Sequence, residues 1–455
     1  MINADQEQHR GLGRRRVLGA VIAGAVATGL AGCADGDTGV SSAEPADLPV
    51  VGALRNVKSF GAVGDGKADD TAAIGKAVAS GEPGAVYLPA GTYRVTSWPE
   101  MPDHLSIVGD GGDLSLVLYE GSSTLISMSG KQRIRFDRMG IWVTHPKATA
   151  LQLDGCFRCT FTGVVVRGGH TGDTYPDYLG QRGIVLSGNT GGTALIDCDI
   201  NNFGVGIETS CIQNYLTSSK LATNHTGILG TGNDDNAGMA VTNSEFVSDT
   251  GANTTQYHVR VDGAANDWWF TNVWFEGADI ALSIGRSGVG GPSQFGMVNC
   301  KVAARTRCIE LDHCRQPYLA NVIFDSDDRT APEELRIDAG DCPEGTAVNL
   351  ISSSSDTIAG SVFPSGWNVL GRRSFSPAPV SGTLVTQGGR VGQDAVQVRG
   401  TDGGVQAAVL SNGTWLSDDP SAGIVLKDAK GGYWRLVVTP DGRMTTDSLG
   451  SVRPR

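Results

Sequence analysis

One six-residue pattern recurs eight times along the chain and constrains the fold more than any other feature of the sequence. Successive copies start 21 to 34 residues apart, a period typical of solenoids built from strands. The fourth and sixth positions of each copy are predicted to point into the core, because side chains alternate along a strand. The pattern therefore predicts an all-β chain folded as a parallel β-helix. The copies are Phe136–Ile141, Phe161–Val166, Leu195–Ile200, Leu216–Leu221, Val241–Phe246, Phe270–Phe275, Met297–Val302 and Leu319–Phe324.

The third position of the pattern is polar in most copies and is asparagine in the last four. An asparagine tolerates a left-handed bend, and stacked asparagines can hydrogen-bond to one another from coil to coil. We therefore predict an asparagine ladder along one edge of the solenoid. The residues at this position are Asp197, Ser218, Asn243, Asn272, Asn299 and Asn321.

A second alternating segment is predicted to close each coil. Its apolar residues point inward, and a small polar residue ends each copy. Because Ser and Asp at a recurring strand end are turn formers, these aspartates are assigned no chemistry. The segments are Leu151–Asp154, Ile184–Ser187, Ile207–Ser210, Val259–Asp262, Ile280–Ser283, Ile309–Asp312 and Leu335–Asp338.

The start of the chain has the features of an export signal. Arg14–Arg16 precede an apolar run, and the four residues that end at Cys33 follow it. This arrangement resembles a twin-arginine signal with a bacterial lipoprotein box. The alternative is a transmembrane anchor, but the run Val17–Leu30 is shorter than the roughly 20 residues that a span needs. We predict a signal peptide over 1–32, a lipid on Cys33 and a flexible tether over 33–50, which places the protein on the outer face of the cytoplasmic membrane or in the cell envelope.

The charge of the chain limits its partners. The formal net charge is −12, which argues against nucleic acid or anionic lipid held by bulk charge. An acidic polysaccharide held by a local basic patch remains compatible with this charge.

The cysteines do not indicate a metal centre. Cys156 and Cys159 form a C-x-x-C, which alone suggests a redox or zinc half-site, but no second C-x-x-C follows in the sequence. Cys198 and Cys300 occupy the fourth position of the pattern and are predicted to be buried small hydrophobes. We predict no metal and no cofactor, and the sequence leaves any disulfide pairing open.

The segment Asn56–Val95 is predicted to cap the solenoid with a strand, a turn at Gly64–Gly66 and a helix over about Thr71–Ala79. The helix would cover the open end of the coil, because an uncapped solenoid exposes its core and its strand edge. From Val57 onward this segment closely resembles the opening of pectate-lyase-like superfamily proteins grouped as rhamnogalacturonase/epimerase-like, which include phage tailspike depolymerases. The resemblance implies a right-handed, single-stranded parallel β-helix that acts on polysaccharides. It transfers no catalytic residue, since the matched segment is a cap.

The sequence has two acidic clusters, of which the first is interpreted as structural. Asp65, Asp69 and Asp70 fit turn formation and helix capping. Pectin hydrolases of this superfamily typically carry Asn-Thr-Asp, a paired Asp, Gly-His-Gly and Arg-Ile-Lys on consecutive coils. Here Asn233–Asp235 is the nearest match to the paired Asp, and the sequence contains neither Gly-His-Gly nor Arg-Ile-Lys. The resemblance therefore does not indicate a pectin hydrolase.

The fifth and seventh positions of the pattern are predicted to point outward along one sheet. With coils about 4.8 Å apart, the Cα atoms of Asp199 and Glu245 lie ~9.6 Å apart, and those of Glu245 and Glu276 ~8 Å apart. Both values are near the roughly 6.5–9.5 Å between carboxyl groups that use water as a nucleophile. We predict Glu245 as the first catalytic carboxylate, with Asp199 and Glu276 as partners. The alternative is a solvated face whose charges alternate in sign.

Sugar-binding groups are predicted around the same face. An exposed tryptophan beside acids is typical of a sugar-stacking surface, and the loop Gly168–Gln181 is predicted to overhang the face, because binding groups concentrate on long polar loops. In a lyase, a His or Tyr removes the proton beside a uronate carboxylate that a cation neutralises. The predicted binding residues are Trp274, Trp269, Lys220, Arg260, His170, Tyr175 and Tyr178, with Arg182 as a further candidate cation.

The rest of the chain is divided by composition and turn signals. We predict the β-helix over 51–350, a linker over 351–381 and a small β module over 382–455, whose strands are separated by Gly-rich hairpin turns. The module is interpreted as a cap, an oligomer contact or a sugar-binding unit that uses Trp415 and Trp434.

These features predict an exported, lipid-anchored β-helix protein that cleaves an extracellular polysaccharide as a glycoside hydrolase or polysaccharide lyase. The alternative is a non-catalytic carbohydrate-binding or cell-envelope structural protein, since the sequence has no complete catalytic signature. The identity of the sugar and the oligomeric state stay open.

Overall fold

The fold is described by a computed structural model. It covers residues 54–81, 84–231, 237–249, 251–326, 332–352 and 362–374, and the segments 386–387, 394, 396–399, 404–410, 412–418 and 423–454. The predicted parallel β-helix is confirmed: the coils contribute strands to two sheets, and most of them to a third, and within each sheet the strands of successive coils pair in parallel.

The six-residue copies are each two strands rather than one, because the chain bends at their third position. The first sheet contains the strand that precedes the bend in each coil. Its strands are Arg55–Asn56, Val86–Leu88, Ser106–Gly109, Arg135–Asp137, Thr160–Thr162, Ala194–Ile196, Asn214–Thr217, Met239–Thr242, Ala265–Thr271, Pro292–Val298 and Pro317–Ala320.

The second sheet contains the strand that follows the bend. Its strands are Asp65–Asp69, Gly91–Val95, Ser115–Tyr119, Gly140–Val143, Val165–Arg167, Asp199–Asn201, Lys220–Ala222, Glu245–Val247 and Ile323–Ser326. Two long strands, Glu344–Ser352 and Gly366–Ser374, run from the first sheet into the second.

The third sheet contains the segment that the sequence predicts to close each coil. Its strands are Thr124–Ser129, Thr149–Asp154, Arg182–Ser187, Val205–Thr209, Thr226–Thr231, Tyr257–Asp262 and Glu333–Ile337. Two further strands, Trp274–Ile284 and Lys301–Leu311, run from the second sheet into the third.

The bend between the first and second sheets carries the asparagine ladder. Asn243 and Asn272 both have a positive φ, 50° and 56°, the left-handed region that asparagine tolerates better than other side chains. Nδ2 of Asn272 donates to Oδ1 of Asn243 over 2.8 Å, and Nδ2 of Asn321 donates to Oδ1 of Asn299 over 3.0 Å. The ladder continues to Asn349, which donates to Asn321 over 2.7 Å. The predicted ladder is therefore confirmed.

The interior of the coils is a continuous apolar core. Phe136 stacks on Phe161 with ring centroids 5.1 Å apart, one coil above the other, as the repeat predicts. Cys198 and Cys300 are buried as predicted. All eight cysteines that the structure describes are buried.

The amino-terminal cap is confirmed, with a 3₁₀ helix over Val57–Phe60 and an α-helix over Thr71–Ala79. The α-helix buries its apolar side, including Ile74, over the end of the core. The buried Arg55 guanidinium donates to the carbonyl of Ala77 over 3.1 Å, which satisfies an acceptor at the carboxyl end of that helix.

The acidic cluster of the cap forms turns. The Asp70 carboxylate accepts hydrogen bonds from the backbone N–H of Val63 at 2.6 Å and of Gly64 at 3.1 Å. Asp65 accepts from the backbone two and three residues ahead. These bonds occupy the carboxylates with backbone donors and agree with a structural role.

The β-helix extends further than the sequence predicts. Gly366–Ser374 pairs in parallel with Glu344–Ser352, so part of the predicted linker 351–381 is a further coil. The predicted end of the β-helix at residue 350 is wrong, because this coil lacks the six-residue pattern on which the prediction rests. Thr386–Gln387 then pairs antiparallel with Gly366–Ser374.

The carboxyl-terminal region forms short antiparallel sheets, as its turn signals predict. One sheet contains Val396–Arg399, Val405–Val409 and Trp415–Ser417, and the other contains Val425–Lys427, Tyr433–Val438 and Met444–Gly450.

Some predictions concern residues outside the described part of the chain. The signal peptide, the tether, Cys33 and the acidic cluster Asn233–Asp235 all lie there. Among the described residues, no helix is long and apolar enough to cross a membrane.

Candidate functional site

A groove of about 520 Å³ crosses the second sheet beside the asparagine ladder. Four of the predicted site residues, Asp199, Lys220, Glu245 and Trp274, line it. Its remaining lining residues come from the bend at the edge of the sheet and are Asp197, Ser218, Ser219, Asn243, Ser244 and Asn272.

Strand register places these four side chains in one row. Asp199 pairs with Lys220, Lys220 with Glu245, and Glu245 with Trp274, on four consecutive strands of the second sheet. Neighbouring strands are about 4.8 Å apart, so two carboxylates stand two coils apart with an ammonium group between them. The structure therefore contains the predicted outward row.

The two carboxylates of the groove have different surroundings. Oε1 of Glu245 lies 3.2 Å from Nζ of Lys220, and both side chains are partly exposed. Burial raises the pKa of Asp199, and the positive charges of Lys220 and Arg167 only partly oppose this effect. Asp199 therefore holds a proton to higher pH than an ordinary aspartate does.

Glu276, the third predicted carboxylate, is occupied by an ion pair. Its Oε1 lies 2.8 Å from Nζ of Lys301, which also lies 3.3 Å from Oδ2 of Asp325. These charge-assisted hydrogen bonds raise the pKa of Lys301, the Glu276 contact most of all. Glu276 lies on the second sheet next to Trp274 but does not line the groove.

The two predicted sugar-stacking tryptophans lie on different sheets. Trp274 is 55% exposed and lines the groove, whereas Trp269 precedes the bend and lies on the first sheet. The expectation that both face one ligand is therefore wrong, because the chain turns at Asn272 between them. Trp268, next to Trp269, points inward and donates from Nε1 to the carbonyl of Ala237.

The loop Gly168–Gln181 does not overhang the groove. His170 is fully buried, and its Nε2 lies 2.7 Å from the carbonyl oxygen of Thr254. The Tyr175 ring stacks on the ring of His225 at 5.6 Å between centroids. The loop therefore packs against the turns that lead from the second sheet into the third.

Tyr178 is held in the same loop. Its ring lies against the backbone of Gly169, where an added Cβ would stand 2.3 Å from Cε1 of the ring. The prediction that His170, Tyr175 and Tyr178 reach a ligand over Asp199 is corrected: the polar loop packs on itself and on the solenoid.

The predicted cations other than Lys220 lie on the third sheet. Arg260 pairs with Asp262 at 3.2 Å, and Arg182 pairs with Glu208 at 2.7 Å. Neither arginine lines the groove. They are therefore structural partners of nearby acids on another sheet.

Within the described residues, no group of three or more His, Cys, Asp or Glu side chains is placed to hold a metal ion. Cys156 and Cys159 share a hydrogen bond that lowers the pKa of Cys156 and raises that of Cys159. Both thiols are buried in the core.

Sequence reasoning missed an aromatic row on the outside of the first sheet. Tyr215, Trp269 and Tyr318 each stand one residue before a copy of the six-residue pattern, and all three are partly exposed. The recurring aromatic residue is visible in the sequence, but it lies just before the six positions that define the pattern.

The amino-terminal part of the described chain matches a known protein family. Residues 54–152 match the family model described as "Rhamnogalacturonase A/epimerase, pectate lyase-like". Over these residues the chain is similar to that family. The match covers the cap and the first coils and ends before the groove.

Two curated proteins each resemble a short part of this chain. The pre-neck appendage protein of Bacillus phage B103 is 44% identical over 70 residues, which is 15% of this chain and 8% of that protein. The mannuronan C5-epimerase AlgE2 of Azotobacter vinelandii is 47% identical over 78 residues, which is 14% of this chain and 8% of the epimerase. The matches therefore span less than a tenth of either relative.

A solved structure has a similar fold over a larger part of the chain. The family 28 exopolygalacturonase of Yersinia enterocolitica aligns with a TM-score of 0.50 at 15% identity, over 66% of this chain and 71% of that enzyme. At this identity the likeness concerns the fold alone.

Proposed function

We propose that this protein binds and cleaves an extracellular polysaccharide in the groove between Asp199 and Trp274. The observation that carries the proposal is the register of the second sheet, which stacks an acid, an ammonium group, a second acid and an exposed indole on four consecutive strands. The match to a pectate lyase-like family supports action on a polysaccharide.

The chemistry proposed for the groove is hydrolysis by two carboxylates. Asp199 is the general acid, because its raised pKa keeps a proton available for the leaving oxygen. Glu245 is the general base that activates water. A separation of about 9.6 Å between their Cα atoms leaves room for a sugar ring and a water molecule, as in enzymes that invert the anomeric centre.

Lys220 and Trp274 are proposed to bind the substrate. The indole of Trp274 offers an exposed flat face next to Glu245, on which a sugar ring can stack. Lys220 stands between the two acids, 3.2 Å from Glu245, and can hold a carboxylate or hydroxyl group of the sugar.

A polysaccharide lyase is the second candidate, and Lys220 is the observation that favours it. A cation at the centre of the row would neutralise the carboxylate of a uronate and so acidify the adjacent C–H. The described residues that line the groove include no His, Tyr or Arg that could act as the base and remove the proton from this C–H. Hydrolysis therefore fits the groove better.

A glycan screen with the full chain tests this proposal. New reducing ends without an unsaturated product are expected for a hydrolase, whereas reducing ends with absorbance from an unsaturated uronate identify a lyase. Retention of a glycan without cleavage would support the non-catalytic alternative and would overturn the catalytic proposal.

The matched tryptophan variants then test the location. Trp274→Ala is expected to weaken substrate binding roughly tenfold through the lost stacking. Trp142→Ala removes another exposed tryptophan of the second sheet that does not line the groove, and it is expected to leave binding unchanged. Equal effects of the two variants would argue against the groove.

A location in the cell envelope is proposed with the function. It rests on the twin arginine at Arg14–Arg16 and on the four residues that end at Cys33, since a lipid anchor would hold the solenoid next to polysaccharides outside the membrane.

A further inference from the structure

An aromatic row runs along the outside of the first sheet, separate from the groove. Tyr215 pairs with Ala240, Ala240 with Trp269, Trp269 with Gly296, and Gly296 with Tyr318. Large aromatic residues and small residues therefore alternate over five consecutive strands. The three aromatic side chains are 47%, 38% and 38% exposed in chain order.

The alternation spaces the aromatic residues evenly along the sheet. Successive aromatic residues are two strands apart, so their Cα atoms lie ~9.6 Å apart along the axis of the solenoid. An extended polysaccharide repeats on the scale of a disaccharide, which is comparable with this distance. A chain that runs along the axis would therefore meet a ring at every second sugar.

Gly296 gives the central ring its orientation. A Cβ added to Gly296 would lie 2.1 Å from Cζ3 and 2.2 Å from Cε3 of Trp269. The indole thus lies over Gly296, where a side chain on the next strand would collide with it, and 38% of Trp269 stays exposed. An exposed indole can stack on a sugar ring.

The surroundings of the rings supply hydrogen bonds. Trp269 separates two clefts, one of about 280 Å³ shared with Tyr215 and one of about 410 Å³ shared with Tyr318. Side-chain amides line both clefts and can donate to and accept from sugar hydroxyls. These amides are Gln213, Asn266, Gln294, Gln316 and Asn368.

The charge of the clefts selects the class of glycan. Among the described residues, two carboxylates line the clefts, those of Asp267 and Glu344. Tyrosines are the other ionisable residues of this lining, and it includes no lysine or arginine. A polyuronate would bring its negative charges to this acidic surface without a cation to hold them. A neutral polysaccharide meets no such repulsion.

We propose that Tyr215, Trp269 and Tyr318 form a second carbohydrate-binding surface, which holds a neutral polysaccharide chain along the axis of the solenoid. This surface has no part in the chemistry of the groove, and it holds a glycan whether or not the groove cleaves one.

Affinity electrophoresis of the full chain tests the surface. The gels contain soluble β-1,3-glucan, β-1,4-glucan or galactomannan as neutral probes, and polygalacturonate or alginate as acidic ones. The wild-type protein is expected to be retarded by at least one neutral probe. Trp269→Ala is expected to raise the dissociation constant for that probe roughly tenfold, and the double change Tyr215→Ala/Tyr318→Ala to do the same.

Two variants separate this surface from the rest of the molecule. Gly296→Ala keeps the indole of Trp269 but displaces it from its position over the next strand. This variant is expected to weaken retardation without changing the melting temperature by more than a few degrees. Trp142→Ala, which removes an exposed tryptophan that lines neither the groove nor the two clefts, is expected to leave retardation by the neutral probe unchanged.

Several outcomes would overturn the proposal. They are no retardation by any neutral probe, full retardation of the Trp269→Ala protein, or retardation by acidic probes that depends on Trp269. Loss of self-association in the Trp269→Ala protein by sedimentation, without any glycan retention by the wild type, would show that the surface joins two copies of this chain instead.

Discussion

Nζ of Lys220 lies 3.2 Å from Oε1 of Glu245, across two adjacent strands of the second sheet. This contact ties the central cation of the groove to one of its two acids. Asp199 lies next to Lys220 on the strand at the other side. A change at any of the three residues therefore alters the electrostatic potential at the other two.

Glu245→Gln is expected to abolish turnover of a confirmed substrate and to leave binding nearly intact, because it removes charge but keeps shape. Initial rates and equilibrium binding measure the two effects separately. Glu120→Gln is the matched control, since Glu120 is an exposed glutamate paired with Arg94 near the amino-terminal end. Full activity of the Glu245→Gln protein would show that the site lies elsewhere, and Arg260 and Glu208 on the third sheet would then be the first residues to change.

Activity is expected to fall as pH rises through the pKa of Asp199, because a general acid must be protonated. Burial raises this pKa, and Lys220 lowers it. Lys220→Gln is therefore expected to move the alkaline limb of the kcat/KM profile to higher pH. Lys301→Gln, in the same outward row but paired with Glu276, is expected to leave the limb in place. A limb that moves the opposite way, or not at all, with Lys220→Gln would contradict the role of Asp199.

Asn272→Ala is expected to lower the free energy of unfolding by about 2–3 kcal/mol. It removes the hydrogen bond to Asn243 and forces an alanine into the left-handed region, where the conformation alone costs roughly 1–2 kcal/mol. Asn272→Gly removes the same bond without that strain, so its loss is expected to be smaller, about 1 kcal/mol. Urea denaturation of the two variants gives the comparison, and equal losses would show that the ladder position imposes no conformational demand.

His258 is expected to destabilise the fold in acid. Its Nε2 lies 2.8 Å from the carbonyl oxygen of Glu276, and burial lowers its pKa from 6.5 to about 4. The unfolded chain takes up this proton as pH falls below 6.5, whereas the folded chain does so only near 4. The stability is therefore present above pH 6.5 and is lost towards pH 4, by roughly 3 kcal/mol from this residue. Denaturation curves from pH 7 to 4 measure the loss, and His258→Gln is expected to flatten it. An unchanged slope in that variant would assign the effect to other groups.

Cys33→Ala is expected to release the protein from membranes, because it removes the residue proposed to carry the lipid. Fractionation of the producing cells and metabolic labelling with a fatty-acid analogue measure the change together. A Cys33→Ala protein that still sediments with membranes would show that the lipid assignment is mistaken.

The sequence predicts the solenoid because its period and its alternation are both local properties. Counting along a strand places Cys198 and Cys300 in the core. It places four other residues on the surface: Asp199, Lys220, Glu245 and Trp274. The bend at the third position could be predicted from its asparagines, but the change of sheet that it causes was not. That is why Trp269 was assigned to the same face as Trp274.

The loop shows a different limit of sequence reasoning. His170 and Tyr175 are polar residues in a long irregular segment, a composition that fits a ligand-binding loop as well as one that packs on the protein. The direction in which such a loop leaves the solenoid depends on the backbone of its ends, where Asn202 and His170 exchange two hydrogen bonds. No periodic pattern encodes this contact.

The pairing of Asp199, Lys220 and Glu245 on successive strands makes the geometry of the groove discrete. Whole coils separate the two acids, and a coil cannot be partly inserted, so their backbones can move apart or together only in steps of about 4.8 Å. Exchange of Asp for Glu, which lengthens the side chain by one methylene, is then the finest adjustment that mutation can make along this axis. A solenoid of this kind would change the spacing of its acids by gaining or losing an entire coil between them.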